Sequence, residues 1–224
     1  MKDLGSQIAY WDGAGATKTF THPVNLSWLA EAGPDARVLD YGCGYGRVMA
    51  ELSEHGFPDV SGVDPSPALI ERGRRLRPDL RLSVLESPPA LPHAAGSFDV
   101  ALLFAVLTCV PDDDAQAALV KELHRVLAPG GLLYVSDLLL QDDGRNRERY
   151  ATHSRQFGGP YGVFSTDDGA FCRHHDPAAL HALLSGFDVV RERRIEVGTM
   201  NGHRSQAVQL LVRRRQGLPG GSEP

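Results

Sequence analysis

The chain has 224 residues and a formal net charge of −5, from 23 Lys and Arg against 28 Asp and Glu. This length favours one domain with one core, and the acidic balance argues against a nucleic-acid-binding protein. Its three cysteines are widely spaced, which excludes a disulfide framework and a zinc knuckle and favours the cytoplasm. Without a signal core or a long apolar run, neither export nor membrane insertion is expected.

The elements are predicted from apolar periodicity, taken in chain order. Residues 1–33 are expected to form an N-terminal helical layer. The predicted strands are 38–41, 60–64, 80–85, 98–104, 132–140, 187–197 and 207–212. The predicted helices are 47–55, 67–76, 112–127 and one that begins at Pro177 and stops before Gly186. Strands that alternate with helices predict a doubly wound, mostly parallel sheet with ligands at the carboxyl ends of its strands.

Two segments fall outside this alternation. Residues 141–175 are polar and poorly periodic, too long for an ordinary connection, so we expect a cap inserted after the fifth strand. Residues 214–224 are charged, then rich in Gly and Pro, and are expected to be a disordered tail. The remaining residues, 1–213, are predicted to be a single domain.

The segment from Val38 to Gly46 indicates a ligand site, since it places a glycine-rich loop where a strand turns into a helix. Glycines there let the backbone approach a ligand closely. Asp40 lies inside the loop, where its charge would repel a pyrophosphate and attract a cation. Asp64 ends the next strand, at the spacing of an acid that accepts hydrogen bonds from ribose hydroxyls.

These segments together resemble class I S-adenosylmethionine-dependent methyltransferases. The similarity covers residues 40–46 (DYGCGYG, the acid-Gly-x-Gly-x-Gly loop), 62–64 (GVD, the ribose-binding strand end), 91–92 with 96–99, and 127–131 (LAPGG). The resemblance implies a seven-stranded sheet with an antiparallel last strand and S-adenosylmethionine as cofactor. It also implies the cofactor contacts Asp40 at the methionine end, Gly42, Gly44 and Gly46 in the loop, Asp64 at the ribose, and Phe104 at the fourth strand end.

The sequence departs from the family pattern at two places. Where many relatives have an aspartate for the adenine amino group, this chain has Glu86 followed by Ser87, and either one is a candidate contact. Where many relatives have paired histidines after the fourth strand, residues 106–110 read VLTCV. No acid or base is therefore assigned to that loop.

Methyl transfer is an in-line displacement, for which the enzyme mainly holds the acceptor close and excludes water. A base is needed only for a protonated acceptor, and histidine is suited to that role near neutral pH. His175 and His203 are the candidate bases, because the topology brings both to the carboxyl edge. The candidate acceptor contacts are Tyr10, Trp11, His153, Tyr161 and His174. No metal is expected, since no ligand motif is present.

Three alternatives remain open from the sequence. The chain is a small-molecule methyltransferase, a protein that binds S-adenosylmethionine without catalysis, or a nicotinamide-dependent oxidoreductase, which Asp40 disfavours. The negative charge argues against an RNA methyltransferase. A small-molecule substrate, without nucleic acid or membrane partners, is expected, and the oligomeric state is left undetermined.

Overall fold

The computed structural model describes residues 4–215, and the side chains from residue 7 onward. The strands are β1 Val38–Tyr41, β2 Val60–Asp64, β3 Arg81–Val84, β4 Phe98–Phe104, β5 Leu127–Leu138, β6 Val163–Ser165, β7 Phe171–Arg173, β8 Phe187–Gly198 and β9 Arg204–Arg214. The helices are α1 Leu4–Asp12, α2 Arg47–Glu54, α3 Pro67–Leu76, α4 Asp113–Val126, α5 Gly144–Phe157 and α6 Pro177–Leu183.

A seven-stranded sheet has the strand order β3-β2-β1-β4-β5-β9-β8. The strands from β3 to β5 pair in parallel, and β9 runs antiparallel to both β5 and β8. The chain reverses its order between β1 and β4, and ligands bind at such a switch point outside the carboxyl ends of the strands. The predicted doubly wound sheet with an antiparallel last strand is confirmed.

The central strands are covered on both faces. On β4, Val100 and Leu102 belong to one hydrophobic cluster, while Ala101 and Leu103 belong to the cluster on the opposite face. All four side chains are fully buried. This explains why β4 is a continuous apolar run in the sequence instead of an alternating one.

Local capping fixes where the helices begin. The Ser66 hydroxyl accepts a hydrogen bond from the Leu69 N–H at 3.2 Å, and the Asp176 carboxylate accepts from two N–H groups at the start of α6. Each of these helices has proline in its first turn, where the missing N–H costs no hydrogen bond. The sequence therefore determined the start of α3 and α6.

The N-terminal region and the insertion both contain elements that the apolar periodicity did not predict. In the N-terminal layer, α1 is the helix, and two short 3-10 turns span Leu26–Trp28 and Ala30–Ala32. The insertion contains the helix α5 and the antiparallel hairpin β6–β7.

At the C-terminus, β9 includes Arg214, which the sequence placed in the predicted tail. Residues 216–224 of the predicted tail lie outside the described residues. Within residues 4–215, no helix combines the length and apolar character that a membrane crossing requires.

Candidate cofactor and acceptor site

A cavity of about 960 Å³ lies at the carboxyl edge of the sheet. Its wall comes from the glycine loop and the ends of β2 and β4, and from segments distant in sequence: α1 with residues 18–22, α5, the β6–β7 hairpin and the turn between β8 and β9. The predicted insertion and N-terminal layer thus meet the parallel sheet at one site.

The glycine loop adopts a backbone that other residues rarely adopt. Gly42, Gly44 and Gly46 have φ of +72°, +56° and +82°. A Cβ on Gly42 would lie 2.4 Å from Val106, and one on Gly44 would lie 2.5 Å from Phe20. These glycines are therefore required for backbone conformation and for close packing. Gly42 lines the cavity.

Phe20 closes over the glycine loop from the N-terminal segment. Its ring stacks on Tyr45, with 5.4 Å between ring centroids and 18° between planes, and it contacts Trp11 edge-on. Phe20 and Trp11 both line the cavity. Sequence reasoning missed Phe20, because no periodicity or spacing links it to a loop more than twenty residues later.

Asp64 lies at the exit of β2 and lines the cavity. Its carboxylate accepts hydrogen bonds from the Gly44 N–H at 2.9 Å and the Ser66 N–H at 2.8 Å. Burial raises the pKa of Asp64 to about 6, although these two donors oppose the shift. Asp64 therefore ties the glycine loop to β2 and offers acceptor oxygens to a ligand hydroxyl.

Asp40 is buried beneath the loop and is not part of the cavity wall. Its Oδ2 has no hydrogen-bond partner among the described residues. Burial raises the pKa of Asp40 to about 7, while Arg47 opposes the shift. A cationic ligand placed nearby would stabilise the ionised form of this carboxyl.

The remaining predicted cofactor contacts divide into two groups. Phe104 is buried and lines the cavity. Glu86 and Ser87 are exposed and lie outside it, whereas the next two residues, Pro88 and Pro89, are part of the wall. The structure therefore brings the prolines, and not the two candidate adenine contacts, to the cavity.

The adjacent histidines of the insertion face opposite ways. His174 lines the cavity, and its Nδ1 lies 2.6 Å from the Tyr150 hydroxyl. His175 is absent from the wall, and its Nε2 lies 2.9 Å from Gln116 Nε2 beside a separate small pocket. His175 also pairs with Leu139 as an isolated β-bridge, and successive residues of an extended segment point to opposite faces. This placement gives the predicted base role of His175 no support.

Three further histidines reach the cavity, namely His22, His153 and His203. His22 is buried, and its Nδ1 lies 2.9 Å from the Ser136 hydroxyl oxygen. His203 lies exposed in the turn between β8 and β9. His153 is buried on α5, and its Nδ1 has no hydrogen-bond partner in the described part of the chain. Burial lowers the pKa of His153, so its ring is neutral and able to accept a proton near pH 7.

The predicted aromatic contacts also differ in placement. Tyr10 is buried behind the wall, where its hydroxyl donates to Asp168 at 3.0 Å. Tyr161 is 56% exposed and packs edge-on against Tyr150, away from the cavity. Trp11 is the aromatic residue of this predicted group that reaches the wall.

Comparison with known proteins identifies the family of this chain. A methyltransferase domain family matches residues 20–192. The chain belongs to this methyltransferase family. A solved structure of an S-adenosylmethionine-dependent methyltransferase from Methanosarcina mazei has a TM-score of 0.77 and 25% identity, covering 82% of this chain and 94% of that one. The class I resemblance found in the sequence is confirmed.

Two curated relatives match a smaller part of the chain. A ubiquinone biosynthesis O-methyltransferase of Xanthomonas campestris pv. campestris (strain B100) is 32% identical over 139 residues, which cover 58% of this chain and 56% of that protein. A 2-methyl-6-phytyl-1,4-hydroquinone methyltransferase of Synechocystis sp. is 37% identical over 115 residues, which cover 49% of this chain and 34% of that protein. The match thus spans about half of the first relative and a third of the second.

Proposed function

We propose that this protein transfers a methyl group from S-adenosylmethionine to a small-molecule acceptor. The observation that carries the proposal is that the glycine loop and Asp64 open into the same cavity as the insertion. At about 960 Å³, the cavity is at the upper end of the roughly 300–1,000 Å³ typical of ligand sites. This volume suits a cofactor and an acceptor side by side.

The residues at the cofactor end fit S-adenosylmethionine. Asp64 supplies carboxylate oxygens for ribose hydroxyls, and Gly42 presents backbone without a side chain. The unpartnered Oδ2 of buried Asp40 suits a site that receives a positively charged ligand. When bound, S-adenosylmethionine supplies a methyl group already activated by its positively charged sulfur.

The remaining residues position the acceptor and exclude water. Trp11, Phe20 and Phe104 give the cavity aromatic walls, which lower the local dielectric and restrict the acceptor to a close approach. The two curated relatives are named as a ubiquinone biosynthesis O-methyltransferase and a 2-methyl-6-phytyl-1,4-hydroquinone methyltransferase. Their names support an acceptor with an aromatic ring for this chain as well.

A protonated acceptor also needs a base. We assign this role to His153 or His203, because both line the cavity and the rings of the other two lining histidines, His22 and His174, are already hydrogen-bonded to Ser136 and Tyr150. Burial lowers the pKa of His153, so its ring is neutral near pH 7. Its Nδ1, which has no hydrogen-bond partner among the described residues, is therefore available to accept a proton from a hydroxyl. The cytoplasm is the proposed compartment, supported by three free cysteines.

Isothermal titration calorimetry with S-adenosylhomocysteine and with NAD tests the proposal. We expect S-adenosylhomocysteine to bind and NAD not to bind, because two acids flank the glycine loop, where NAD would place a pyrophosphate. Binding of NAD without any response to S-adenosylhomocysteine would show that the cavity serves another cofactor.

A further inference from the structure

The cavity contains an arginine that forms no ion pair with a carboxylate among the described residues. Arg149 projects from α5 and lines the wall. Its guanidinium carbon lies 3.4 Å from the centroid of the Phe164 ring, and its Nε is buried without a hydrogen-bond partner within the described residues. A guanidinium that lies over the face of a ring can still donate hydrogen bonds to a planar anion.

The charges near Arg149 favour an anion. Arg145, one turn earlier on α5, also lines the cavity, and its positive charge adds to that of Arg149. Burial lowers the pKa of Arg149 and the repulsion from Arg145 lowers it further, whereas the electrostatic effect of the neighbouring Tyr150 opposes the shift. The exposed Asp143 interacts electrostatically with Arg149 but forms no ion pair with it. Half-buried and without an ion-pair partner among the described residues, Arg149 would gain from a bound anion.

The acids that line this wall either have hydrogen-bond or ion-pair partners already or lie exposed at its rim. Asp168 forms an ion pair with Lys18 at 2.7 Å and accepts from the Tyr10 hydroxyl. Asp64 accepts from two backbone N–H groups. Glu148 and Asp167 are exposed at the rim. These acids therefore do not neutralise Arg149, and its positive charge remains available to a ligand.

The body of the ligand follows from the surfaces around this cation. Phe164 lies directly under the guanidinium, and Trp11 and Phe104 form other parts of the wall. An aromatic or apolar body fits against such rings. The guanidinium would then bind an acidic substituent on that body.

We infer that the methyl acceptor is an aromatic or apolar molecule with an anionic oxygen-rich group, a carboxylate or phosphate, that binds Arg149. This inference rests on the proposed methyl transfer, and it names the substrate class of the same site. Arg149 is a substrate-binding residue in this assignment. It fixes the acceptor at the cap, so that the opposite end of the acceptor faces the cofactor edge.

Matched probes test this inference before any natural acceptor is known. Benzoate and its neutral isostere benzamide are titrated by ligand-observed NMR into the full chain, with and without S-adenosylhomocysteine, and phenyl phosphate forms a third arm. We expect benzoate to bind roughly 10-fold or more tightly than benzamide, since a charge-assisted hydrogen bond is worth about that factor. Tighter binding of phenyl phosphate than of benzoate would identify the anion as a phosphate.

Variants locate the preference at Arg149. Arg149→Gln should abolish it, and Arg149→Lys, which keeps the charge without the planar fork, should retain part of it. Arg147→Gln is the matched control, since Arg147 lies on the same helix, pairs with Asp142 and is outside the cavity wall. The control should preserve the full preference.

Three outcomes would overturn the inference. The first is that wild-type protein binds benzoate no more tightly than benzamide, including the case in which neither binds. The second is a preference that survives in Arg149→Gln. The third is a loss of S-adenosylhomocysteine affinity in Arg149→Gln with an unchanged probe preference, which would assign Arg149 to the cofactor. If wild-type protein fails to bind S-adenosylhomocysteine, that result contradicts the proposed methyl transfer instead. Calorimetry measures this binding independently of the probe titrations, so the two failures are distinguishable.

Discussion

The parallel sheet and the cap, which is residues 141–175 and contains α5 and the β6–β7 hairpin, are built from different kinds of side chain. The sheet buries aliphatic residues on both faces, as at Val100 and Leu103. The buried residues of α5 are Asn146, Tyr150 and His153. Their spacing is helical, yet none of them is aliphatic. The sheet is a rigid support for one side of the site, while the cap contributes polar and aromatic side chains.

The two regions also bury opposite titrating groups. Burial raises the pKa of Asp40 and Asp137, both at the carboxyl edge of the sheet, to about 7. Burial lowers the pKa of His174 to about 3 and that of His175 to about 4. Acid and alkali should therefore destabilise different regions, and five predictions test this contrast from the largest expected effect to the smallest.

Replacing Asp40 should remove a loss of folding stability that the wild-type protein undergoes as pH rises. Its pKa is 3.8 ordinarily and about 7 in the folded state, so the unfolded chain loses a proton that the folded chain retains between these values. Stability therefore falls as pH rises from about 4 to 7, by up to roughly 4 kcal/mol. We expect Asp40→Asn to exceed wild type in urea unfolding at pH 8 and to match it near pH 4. Asp59→Asn, at the surface, is the control. An equal stability difference between Asp40→Asn and wild type at both pH values would contradict the expectation.

Replacing His174 should remove an acid penalty of the cap. The pKa of His174 falls from 6.5 to about 3 on folding, so the unfolded chain binds a proton first as pH falls below 6.5. This costs wild-type protein roughly 3 kcal/mol by pH 4. His174→Gln should lose less stability than wild type between pH 7 and pH 4, measured by urea unfolding. The control is His55→Gln at an exposed histidine, which should lose as much stability as wild type. If His174→Gln also loses as much stability as wild type between pH 7 and pH 4, His174 is not a buried histidine held neutral by folding.

Replacing the base should slow methyl transfer without weakening cofactor binding. Once an acceptor is known, His153→Ala or His203→Ala should lower the single-turnover rate roughly 100-fold, with S-adenosylhomocysteine affinity unchanged by calorimetry. If His153 is the base, its lowered pKa means that the wild-type rate declines only at a pH below the ordinary histidine value of 6.5. Parental rates in both variants would leave proximity and desolvation as the source of catalysis.

Replacing Asp64 should affect the sheet side of the site alone. Asp64→Ala removes the acceptor for ribose hydroxyls and leaves the Gly44 and Ser66 N–H groups without a carboxylate. We expect a loss of about 2 kcal/mol in S-adenosylhomocysteine affinity, or roughly 30-fold, measured by calorimetry. Asp59→Ala serves as the control. Unchanged affinity in a folded Asp64→Ala protein would show that the ribose binds elsewhere.

Loosening the cap should have the smallest effect on the cofactor. A Cβ on Gly162 would lie 2.2 Å from the His174 carbonyl oxygen, at a φ of +100°, so Gly162→Ala must displace the hairpin. We expect stability to fall by about 1 kcal/mol or more and turnover to drop, with S-adenosylhomocysteine affinity within about 2-fold of wild type. Gly169 has a similar φ of +94°, but a Cβ there would meet open space. Gly169→Ala therefore adds backbone strain without displacing the hairpin, and it serves as the control for Gly162→Ala. A matching loss of cofactor affinity would show that the cap and the sheet edge act as one unit.

The sequence by itself determined the elements of the parallel sheet. The bounds of β1, β2, α3 and β4 agree with the predicted ones, because each depends on a local signal: a short aliphatic run, a cap or a proline in a first turn. The acid-and-glycine loop also indicated the edge of the sheet at which the cavity lies. In α5 the same helical spacing was present but went unrecognised, because its buried residues are polar or aromatic.

The tertiary structure alone decided which polar side chains face the cavity. His174 and His175 are neighbours in sequence, and the pairing of this extended segment with Leu139 directs one of them into the cavity and the other towards Gln116. Phe20 reaches Gly44, and Arg149 stacks on Phe164, through packing between segments that share no local pattern. A histidine or arginine has the same sequence signal in solvent as in a site, since its role depends on the direction it faces, which long-range packing sets.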